Sequence, residues 1–260
     1  MRITVLMENT CRREDLAGEH GLSLLIETAE KTILFDAGQS GAFADNAVKL
    51  GIDLKNVDFA VLSHGHYDHG GGLLRFLEEN ETAPVFARPD AFGQYVHGPD
   101  KYIGLPPALR CSDRFVFNPD TVELAPGITL LACDGWEAAD PMPCSGLEVL
   151  RDGVPVPDDF RHEHYLLIQE REKRIVFSGC SHRGITNICR WLRPDALVGG
   201  FHFVKLDPHG AELEAAASAQ LTFTAAYYTG HCTGEAQFAV LKSIMGERLY
   251  SFSTGDVIMI

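Results

Sequence analysis

Four residues able to bind a metal lie within six positions of the sequence: His64, His66, Asp68 and His69. Imidazole nitrogen and carboxylate oxygen suit zinc, iron or manganese, and a helix cannot aim four such groups at one point from this spacing. A tight loop can, and Gly65 with the run Gly70 to Gly72 allows the turn and a close approach of the backbone. A lone histidine is more often a core or surface residue. Four ligand-type residues together predict a metal site, most simply a two-metal site.

The neighbouring elements must place this cluster at a strand-to-helix turn. Residues 57–62 are a short apolar run typical of a buried strand, and residues 73–79 have helical spacing. A two-metal centre holds its ions about 3.5 to 4 Å apart and needs more protein ligands than one loop supplies. Further ligands are therefore expected at other strand ends.

Three later segments also place reactive side chains directly after a predicted strand: the pair Cys180 and His182, then His202, then His231. We expect His182 and His231 to bind metal, with helix capping or support of another ligand as the alternative for His182. His202, if it faces the site, is expected to contact the substrate or carry a proton. Thr233 is a candidate N-cap of the following helix, which is a structural role without catalysis.

Residues 63–70 match the His-x-His-x-Asp-His signature of the metallo-β-lactamase superfamily, and residues 33–38 resemble the strand and Asp-x-Gly turn that precede it. The resemblance extends over most of the chain. It implies the α/β class, specifically an αββα sandwich of two mixed β-sheets flanked by helices. It also implies two divalent metal ions, with His64 and His66 binding the first and Asp68 and His69 the second. Zinc is the expected metal, and iron and manganese are the alternatives.

The second half of the expected site departs from the commonest family pattern, which places a bridging aspartate in a Gly-Asp pair. The corresponding strand end reads Gly-Cys, so Cys180 is the candidate to replace the carboxylate as a thiolate ligand. Glu163 lies near the place of an expected lone histidine and is a candidate replacement ligand. Because side chains alternate along a strand, either Glu163 or the pair His162 and His164 faces the metals. The pair at 255–256 reads Gly-Asp but follows every candidate histidine, and we set it aside.

Three later segments resemble one subgroup, the metal-dependent hydrolases of β-lactamase superfamily II. They read Gly-Cys-Ser-His-x-Gly, Gly-Gly-Phe-His and Gly-His-Cys-Thr-Gly. Some members are described as dihydropterin-ribofuranosylaminobenzene phosphate synthases. The resemblance implies hydrolysis of a small, anionic or phosphorylated substrate by a metal-activated water. In this interpretation Asp68 orients or deprotonates the water, and His202 protonates the leaving group or holds an anion.

Other functions remain open. A transferase would condense a dihydropterin with an aminobenzene ribofuranosyl phosphate at the same metals. A mononuclear-iron oxidoreductase and a metal-binding protein without turnover are further alternatives. A nucleophilic pair of Cys180 and His182 is disfavoured, because residues two apart on a bend seldom meet at hydrogen-bond distance.

Composition restricts the partners and the compartment. The chain has 260 residues, of which 45% are hydrophobic and 22% charged, as in an ordinary globular domain. Its net charge of −14 argues against binding a nucleic-acid backbone. We expect no membrane partner and a cytoplasmic location, since no signal peptide or long apolar stretch is present. The seven cysteines form no Cys-x-x-Cys pair, which suits a reducing compartment.

Two stretches rich in proline, glycine and aromatic residues interrupt the regular pattern, at 88–110 and 135–159. We interpret the first as a loop over the site and the second as a flap or a dimer contact. The sequence therefore predicts a single domain, 1–260, with two loop insertions. The expected partner is a small-molecule substrate, and a homodimer stays open.

Elsewhere the pattern predicts alternating strands and helices. Strands are expected at 2–8, 22–27, 32–35, 84–87, 122–124, 128–131, 164–169, 174–178, 196–198 and 248–253. Helices are expected at 43–50, 185–192, 211–220 and 235–245.

Overall fold

The computed structural model describes residues 1–98, 101–140, 146–223 and 226–260. The parts of the two predicted loops at 99–100 and 141–145, with Cys144, lie outside the described residues. Among the described helices, none has the length and hydropathy needed to cross a bilayer.

The strands are numbered along the chain. They are β1 Arg2–Met7, β2 Ser23–Glu27, β3 Thr32–Phe35, β4 Phe59–Val61, β5 Val85–Ala87, β6 Tyr95–His97, β7 Lys101–Tyr102, β8 Phe115–Phe117, β9 Val122–Ala125, β10 Ile128–Leu131, β11 Leu147–Arg151, β12 Val154–Pro157, β13 Tyr165–Glu170, β14 Lys173–Ser178, β15 Ala196–Gly199, β16 Ala226–Thr229, β17 Leu249–Ser251 and β18 Val257–Met259. The α-helices are α1 Ala42–Lys49, α2 Tyr67–Gly70, α3 Leu73–Glu79, α4 Ile185–Leu192, α5 Ala211–Gln220 and α6 Glu235–Met245. Short 3-10 helices lie at Leu54–Asn56, Pro89–Phe92, Pro107–Cys111, His231–Thr233 and Gly246–Arg248.

The chain divides into two compact units. The first comprises Met1–Pro119, Gly146–Glu163 and Ser253–Ile260. Its main sheet has the strand order β18-β1-β2-β3-β4-β5-β8 among the described residues. The strands β3, β4, β5 and β8 run parallel, with Phe35 paired to Val61 at the carboxyl ends of β3 and β4. The residues that follow these two strands, Asp36 and Leu62, therefore leave the sheet at the same edge.

Helices α1 and α3 bury apolar faces in the core of this unit. Phe43 of α1 and Phe76 of α3 are fully buried in one cluster with Leu34 and Ala60 of the central strands. Parallel central strands are apolar along their whole length, as in β4, where every residue is buried. The core thus fixes the strand ends that carry the histidine motif.

A smaller sheet, β12-β11-β6-β7, also belongs to the first unit. Its strands lie in the stretches at 88–110 and 135–159, so these stretches are not wholly irregular. Tyr95 of β6 pairs with Val149 of β11, and β12 is an edge strand on the other side of β11. An edge strand tolerates proline, because its outer N–H groups need no partner. Pro155 and Pro157 therefore concealed a strand.

The second unit comprises Asp120–Ser145 and His164–Phe252. Its sheet has the order β17-β16-β15-β14-β13-β10-β9 in the described part of the chain. The four strands β14 to β17 are parallel and are joined through helices α4 to α6, as parallel connections require. Fully buried Tyr227, Ile188 and Leu241 are in its core. The loops after β14, β15 and β16 leave this sheet at one edge.

Most sequence-predicted elements of both units are confirmed. The hairpin β2–β3, the hairpin β13–β14 and helices α4, α5 and α6 lie at the expected residues, within one or two positions. The single-domain organisation stays a prediction.

Candidate functional site

The histidine motif of the first unit lies between β4 and α3, as predicted. One ring nitrogen of His64 lies within 4.8 Å of a ring nitrogen of His66 and of His69. The ring centroids of His64 and His66 are 4.6 Å apart, and those of His64 and His69 are 4.1 Å apart. All three rings and Asp68 are buried. The motif is not wholly a loop, because α2 carries Asp68 and His69 within its single turn.

Asp36 orients two of these imidazoles. Its carboxylate accepts hydrogen bonds from the Ser63 backbone N–H and the Ser63 hydroxyl, both at 2.7 Å, and from His69 Nδ1 at 2.7 Å. Since the Ser63 hydroxyl donates its only proton to Asp36, it accepts from His64 Nδ1 at 2.8 Å. Both imidazoles therefore carry a proton on Nδ1 and a lone pair on Nε2.

Metal-binding histidines in proteins are held in the same way. The ring nitrogen that does not bind the metal donates a hydrogen bond to an acceptor, which fixes the tautomer. Asp36 itself has a left-handed backbone, with φ of 57°. Such a conformation is uncommon for a non-glycine residue and tends to persist at functional sites. The sequence singled out the Asp-x-Gly turn but assigned Asp36 no role, because its partners lie 27 and 33 positions away.

Burial keeps His66 neutral. Desolvation, followed by the nearby charge of His162, lowers the pKa of His66 from 6.5 to about 3. A neutral imidazole is the form that binds a metal ion. The buried His66 ring therefore has the protonation state that the predicted role requires.

His162 holds the motif from the other side. Its Nδ1 accepts the Gly65 N–H at 2.9 Å, and its Nε2 donates to the Asp158 carboxylate at 2.9 Å. Both ring nitrogens are thus engaged, so His162 positions the turn instead of offering a lone pair to a metal. Glu163 is also fully buried, and its role as a replacement ligand stays a prediction.

The segment at 88–110 contacts the motif directly within this unit. The Tyr67 N–H donates to the Ile103 carbonyl at 2.9 Å. The Tyr95 ring lies 5.6 Å from the His66 ring, centroid to centroid. This segment therefore packs on the motif as the sequence analysis expected, although it contains strands.

His20 was missed by the sequence analysis. Its Nε2 lies 3.1 Å from an oxygen of the Asp68 carboxylate. No local signal marks His20, because it lies outside any regular element and 48 positions before its partner in the sequence.

The second unit contains a cluster of thiols and imidazoles. Atoms of Cys180, His182 and His202 lie within 4.8 Å of one another, and so do atoms of Cys180, His231 and Cys232. The His182 and His202 ring centroids are 4.4 Å apart. The structure thus brings together the four candidates that the sequence predicted here and adds Cys232. We name these five residues the thiol–imidazole cluster.

Strained loop backbone forms this cluster at the carboxyl edge of the sheet. Ser181, His202 and His231 have left-handed φ angles of 56°, 57° and 51°, which cost of order 1 kcal/mol each for non-glycine residues. The hydroxyl of Thr233 accepts the Phe201 N–H at 3.0 Å and so ties two of the loops together. The predicted N-cap role of Thr233 is wrong, because α6 begins after Gly234 and has no side-chain cap.

Hydrogen bonding favours the ionised form of one thiol. Burial raises the pKa of Cys232, but hydrogen bonding with Cys180 and His202 and the charge of His231 outweigh it, so the pKa is lowered overall. Thiolates, not thiols, bind metals. The buried Nδ1 of His202 has no hydrogen-bond partner within the described residues. These features, together with the oriented imidazoles of the first unit, fit divalent metal ions.

A cavity of about 600 Å³ lies in the first unit beside the histidine motif. Tyr95 and Asp158 line it, and both contact His162. Its walls combine aromatic rings with arginines: Phe92, Phe115, Phe117, Arg110, Arg151 and Arg161. Most of the lining residues belong to the two stretches at 88–110 and 135–159, and Ser112, Phe115, Phe117 and Arg161 lie just outside them.

Comparison with known proteins identifies the family. A sequence profile of the metallo-beta-lactamase superfamily matches residues 16–140. The chain is also 33% identical, over 252 residues, to 7,8-dihydropterin-6-methyl-4-(beta-D-ribofuranosyl)-aminobenzene-5'-phosphate synthase from Methanocaldococcus jannaschii, with 85% of each chain covered. The chain therefore belongs to the metallo-β-lactamase superfamily.

Solved structures agree with this assignment. The crystal structure of a metal-dependent hydrolase of the β-lactamase superfamily is 31% identical, with a TM-score of 0.86 and with 100% of this chain and 99% of that chain covered. Zn²⁺-bound PqqB from Methylobacterium extorquens is 13% identical with a TM-score of 0.62 over the full length of both chains, and it shares the fold. The predicted family and fold class, two mixed sheets with flanking helices, are confirmed.

Proposed function

We propose that the protein is a metal-dependent hydrolase of a small, anionic or phosphorylated substrate. The observation that carries the proposal is the pair of hydrogen-bond chains from Asp36, which direct the Nε2 lone pairs of His64 and His69. Nothing in the folding of a buried turn requires two imidazoles to be fixed in one tautomer. A metal site does require it.

The proposed ligands come from each unit separately. In the first they are His64, His66, Asp68 and His69, and in the second Cys180, His182 and His231. Two divalent ions, zinc by preference, suit imidazole, carboxylate and thiolate ligands. Such ions supply a water of lowered pKa and polarise an acyl or phosphoryl oxygen.

The chain's own residues would do the remaining work. We assign Asp68 to orienting the attacking water and accepting its proton, with His20 holding the carboxylate through its 3.1 Å contact. We assign His202 to protonating the leaving group or holding an anion. The buried Nδ1 of His202 supports this role, since it has no hydrogen-bond partner among the described residues.

The 600 Å³ cavity is the proposed substrate pocket of the first unit. Its volume is in the range of small-molecule sites, and aromatic walls with arginines suit a planar or anionic group. The net charge of −14 supports a small molecule over a nucleic acid. The seven cysteines of the sequence form no Cys-x-x-Cys pair, which supports a reducing compartment, and we propose the cytoplasm.

A transferase is the second candidate. The 33% identity to a synthase over 85% of both chains favours it specifically. Metal ions held by the same ligands would polarise a leaving group, and an amine, instead of water, would attack. The two candidates differ in whether a second substrate is required for turnover.

The test compares His66→Ala with His209→Ala, a matched control, because His209 is an exposed histidine that belongs to neither cluster. We expect His66→Ala to lose metal and, by at least about 100-fold, hydrolysis of an activated phosphodiester. His209→Ala should retain both. Metal is measured by elemental mass spectrometry and turnover by release of nitrophenol.

Two outcomes would contradict the proposal. Full metal occupancy in His66→Ala would remove this residue from the ligand set. Zinc-loaded wild-type protein that hydrolyses no ester, but joins an arylamine to an activated ribose phosphate, would establish the transferase instead.

A further inference from the structure

Cys232 is a buried cysteine to which the sequence analysis gave no role. It lies beside Cys180 and His231, with the three ligand atoms within 4.8 Å of one another. We propose that Cys232 is a second thiolate ligand, so that Cys180, Cys232 and His231 form a dithiolate site selective for a soft divalent ion such as zinc. This inference rests on the metal binding proposed above but not on the reaction.

The Cys232 sulfur has both a hydrogen-bond donor and an acceptor beside it. Its thiol donates to the Cys180 carbonyl oxygen at 3.7 Å, and binding of a metal ion would release that proton. The backbone N–H of His202 donates to Cys232 Sγ at 3.3 Å. An N–H aimed at sulfur stabilises the anionic form, as charge-assisted hydrogen bonds do. The residue that donates this N–H, His202, has a left-handed φ of 57°, which is a strained conformation for a residue other than glycine.

The loop before His202 also leaves space for this sulfur. A Cβ atom built on Gly200 would lie 2.3 Å from Cys232 Sγ, far inside van der Waals contact. Gly200 itself has an ordinary φ, so its backbone conformation does not require glycine. The close approach of the sulfur is what requires a residue without a side chain.

Cys189 provides the contrast within the same unit. It is fully buried in the apolar core, with its sulfur 3.9 Å from the Tyr227 hydroxyl. It packs with Ile188 and Leu192 of α4, as a small hydrophobic residue does. Cys232 instead faces a second thiol and an imidazole.

The binding step balances simply. Each thiol that binds M²⁺ loses its proton to solvent, so binding by Cys180 and Cys232 releases one proton from each group that is still protonated. No oxidant is involved, and the sulfur–metal bonds replace the S–H bonds. Thiolates favour zinc or cobalt over manganese, which makes metal preference a readout.

The experiment titrates Co²⁺ into the metal-stripped full chain and records the near-ultraviolet charge-transfer band of cobalt–thiolate bonds. Wild-type protein should show the band, and Cys232→Ser should retain about half of its intensity, as one of two thiolates is lost. Cys180→Ser should behave similarly, and Cys189→Ser should match the wild type. A full-intensity band in Cys232→Ser would overturn the proposal.

X-ray absorption at the zinc edge of wild-type protein keeps the test decisive if a variant does not fold. Sulfur neighbours corresponding to two thiolates per chain support the proposal, and one or none contradicts it. A cobalt–thiolate band without any turnover would refute the proposed reaction alone. Turnover without sulfur neighbours would refute the dithiolate alone.

Discussion

Asp36 is the residue on which the histidine motif depends, although it was not among the candidate ligands. Its buried carboxylate accepts hydrogen bonds from Ser63 and His69, and the Ser63 hydroxyl accepts one from His64 in turn. A carboxylate has enough acceptor positions for all of these groups, and an amide does not. The identity of this one side chain therefore controls two proposed ligands.

We predict that Asp36→Asn weakens zinc binding by about 10- to 100-fold, because the amide must present N–H to a donor. Asp58→Asn is the matched control, since Asp58 also accepts a backbone N–H, from Thr32, but lies at the surface. Competition with a chromophoric chelator measures both affinities. Equal affinity in Asp36→Asn and wild type would show that Asp36 does not support the ligands.

Among the individual site residues, the sequence predicted those that lie in a strong local pattern. The four motif positions and Cys180, His182, His202 and His231 were found because each group follows a strand. Asp36, Cys232 and His20 were not assigned, since their roles depend on partners that sequence spacing does not reveal. For Cys232 a signal existed, because it directly follows His231 in the same glycine-flanked segment.

Parallel strands are the elements that gather the clusters. In each unit they end at one sheet edge, so consecutive loops deliver side chains to a common place. The strong apolar periodicity of these strands and of α4 to α6 made them predictable from the sequence. The strands β8 and β18 are three residues long and mostly exposed, unlike the equally short but buried β4 and β5. Prolines hid β12. Elements with a buried apolar pattern were therefore predicted, and exposed or proline-containing strands were missed.

Gly65 of the histidine motif lies close to the backbone of a neighbouring segment. A Cβ there would lie 2.1 Å from the Ala91 carbonyl oxygen, and backbone cannot yield as a side chain can. We predict that Gly65→Ala lowers the free energy of unfolding by about 1–3 kcal/mol through overpacking and weakens metal binding. The midpoint of urea unfolding measures the stability.

Gly41→Ala is the control for this substitution. Its Cβ would meet the flexible Arg75 side chain, at 3.3 Å, and its φ of −70° suits alanine. Gly41 is the N-cap of α1, where alanine is less favourable, but alanine also lowers the entropy of the unfolded chain, so a net change below about 1 kcal/mol is expected. Equal stability of Gly65→Ala and Gly41→Ala would contradict the prediction, because it would mean that the turn at Gly65 has room for a Cβ atom.

For the whole molecule, charge and family point to the same kind of partner. The net charge of −14 disfavours polyanions, and two bound divalent ions would bring it to −14 + 4 = −10. The positive charge of such ions would be concentrated near their ligands, where a small anion is attracted despite the acidic surface. Superfamily membership agrees with metal chemistry but leaves the reaction to experiment.

Metal stoichiometry tests the central claim most directly. The full chain is stripped with a chelator, reloaded with zinc, freed of loose metal and analysed by elemental mass spectrometry against amino-acid analysis. We predict about two zinc ions per chain, as a dinuclear hydrolase requires. Retention of no zinc after reloading would contradict the account.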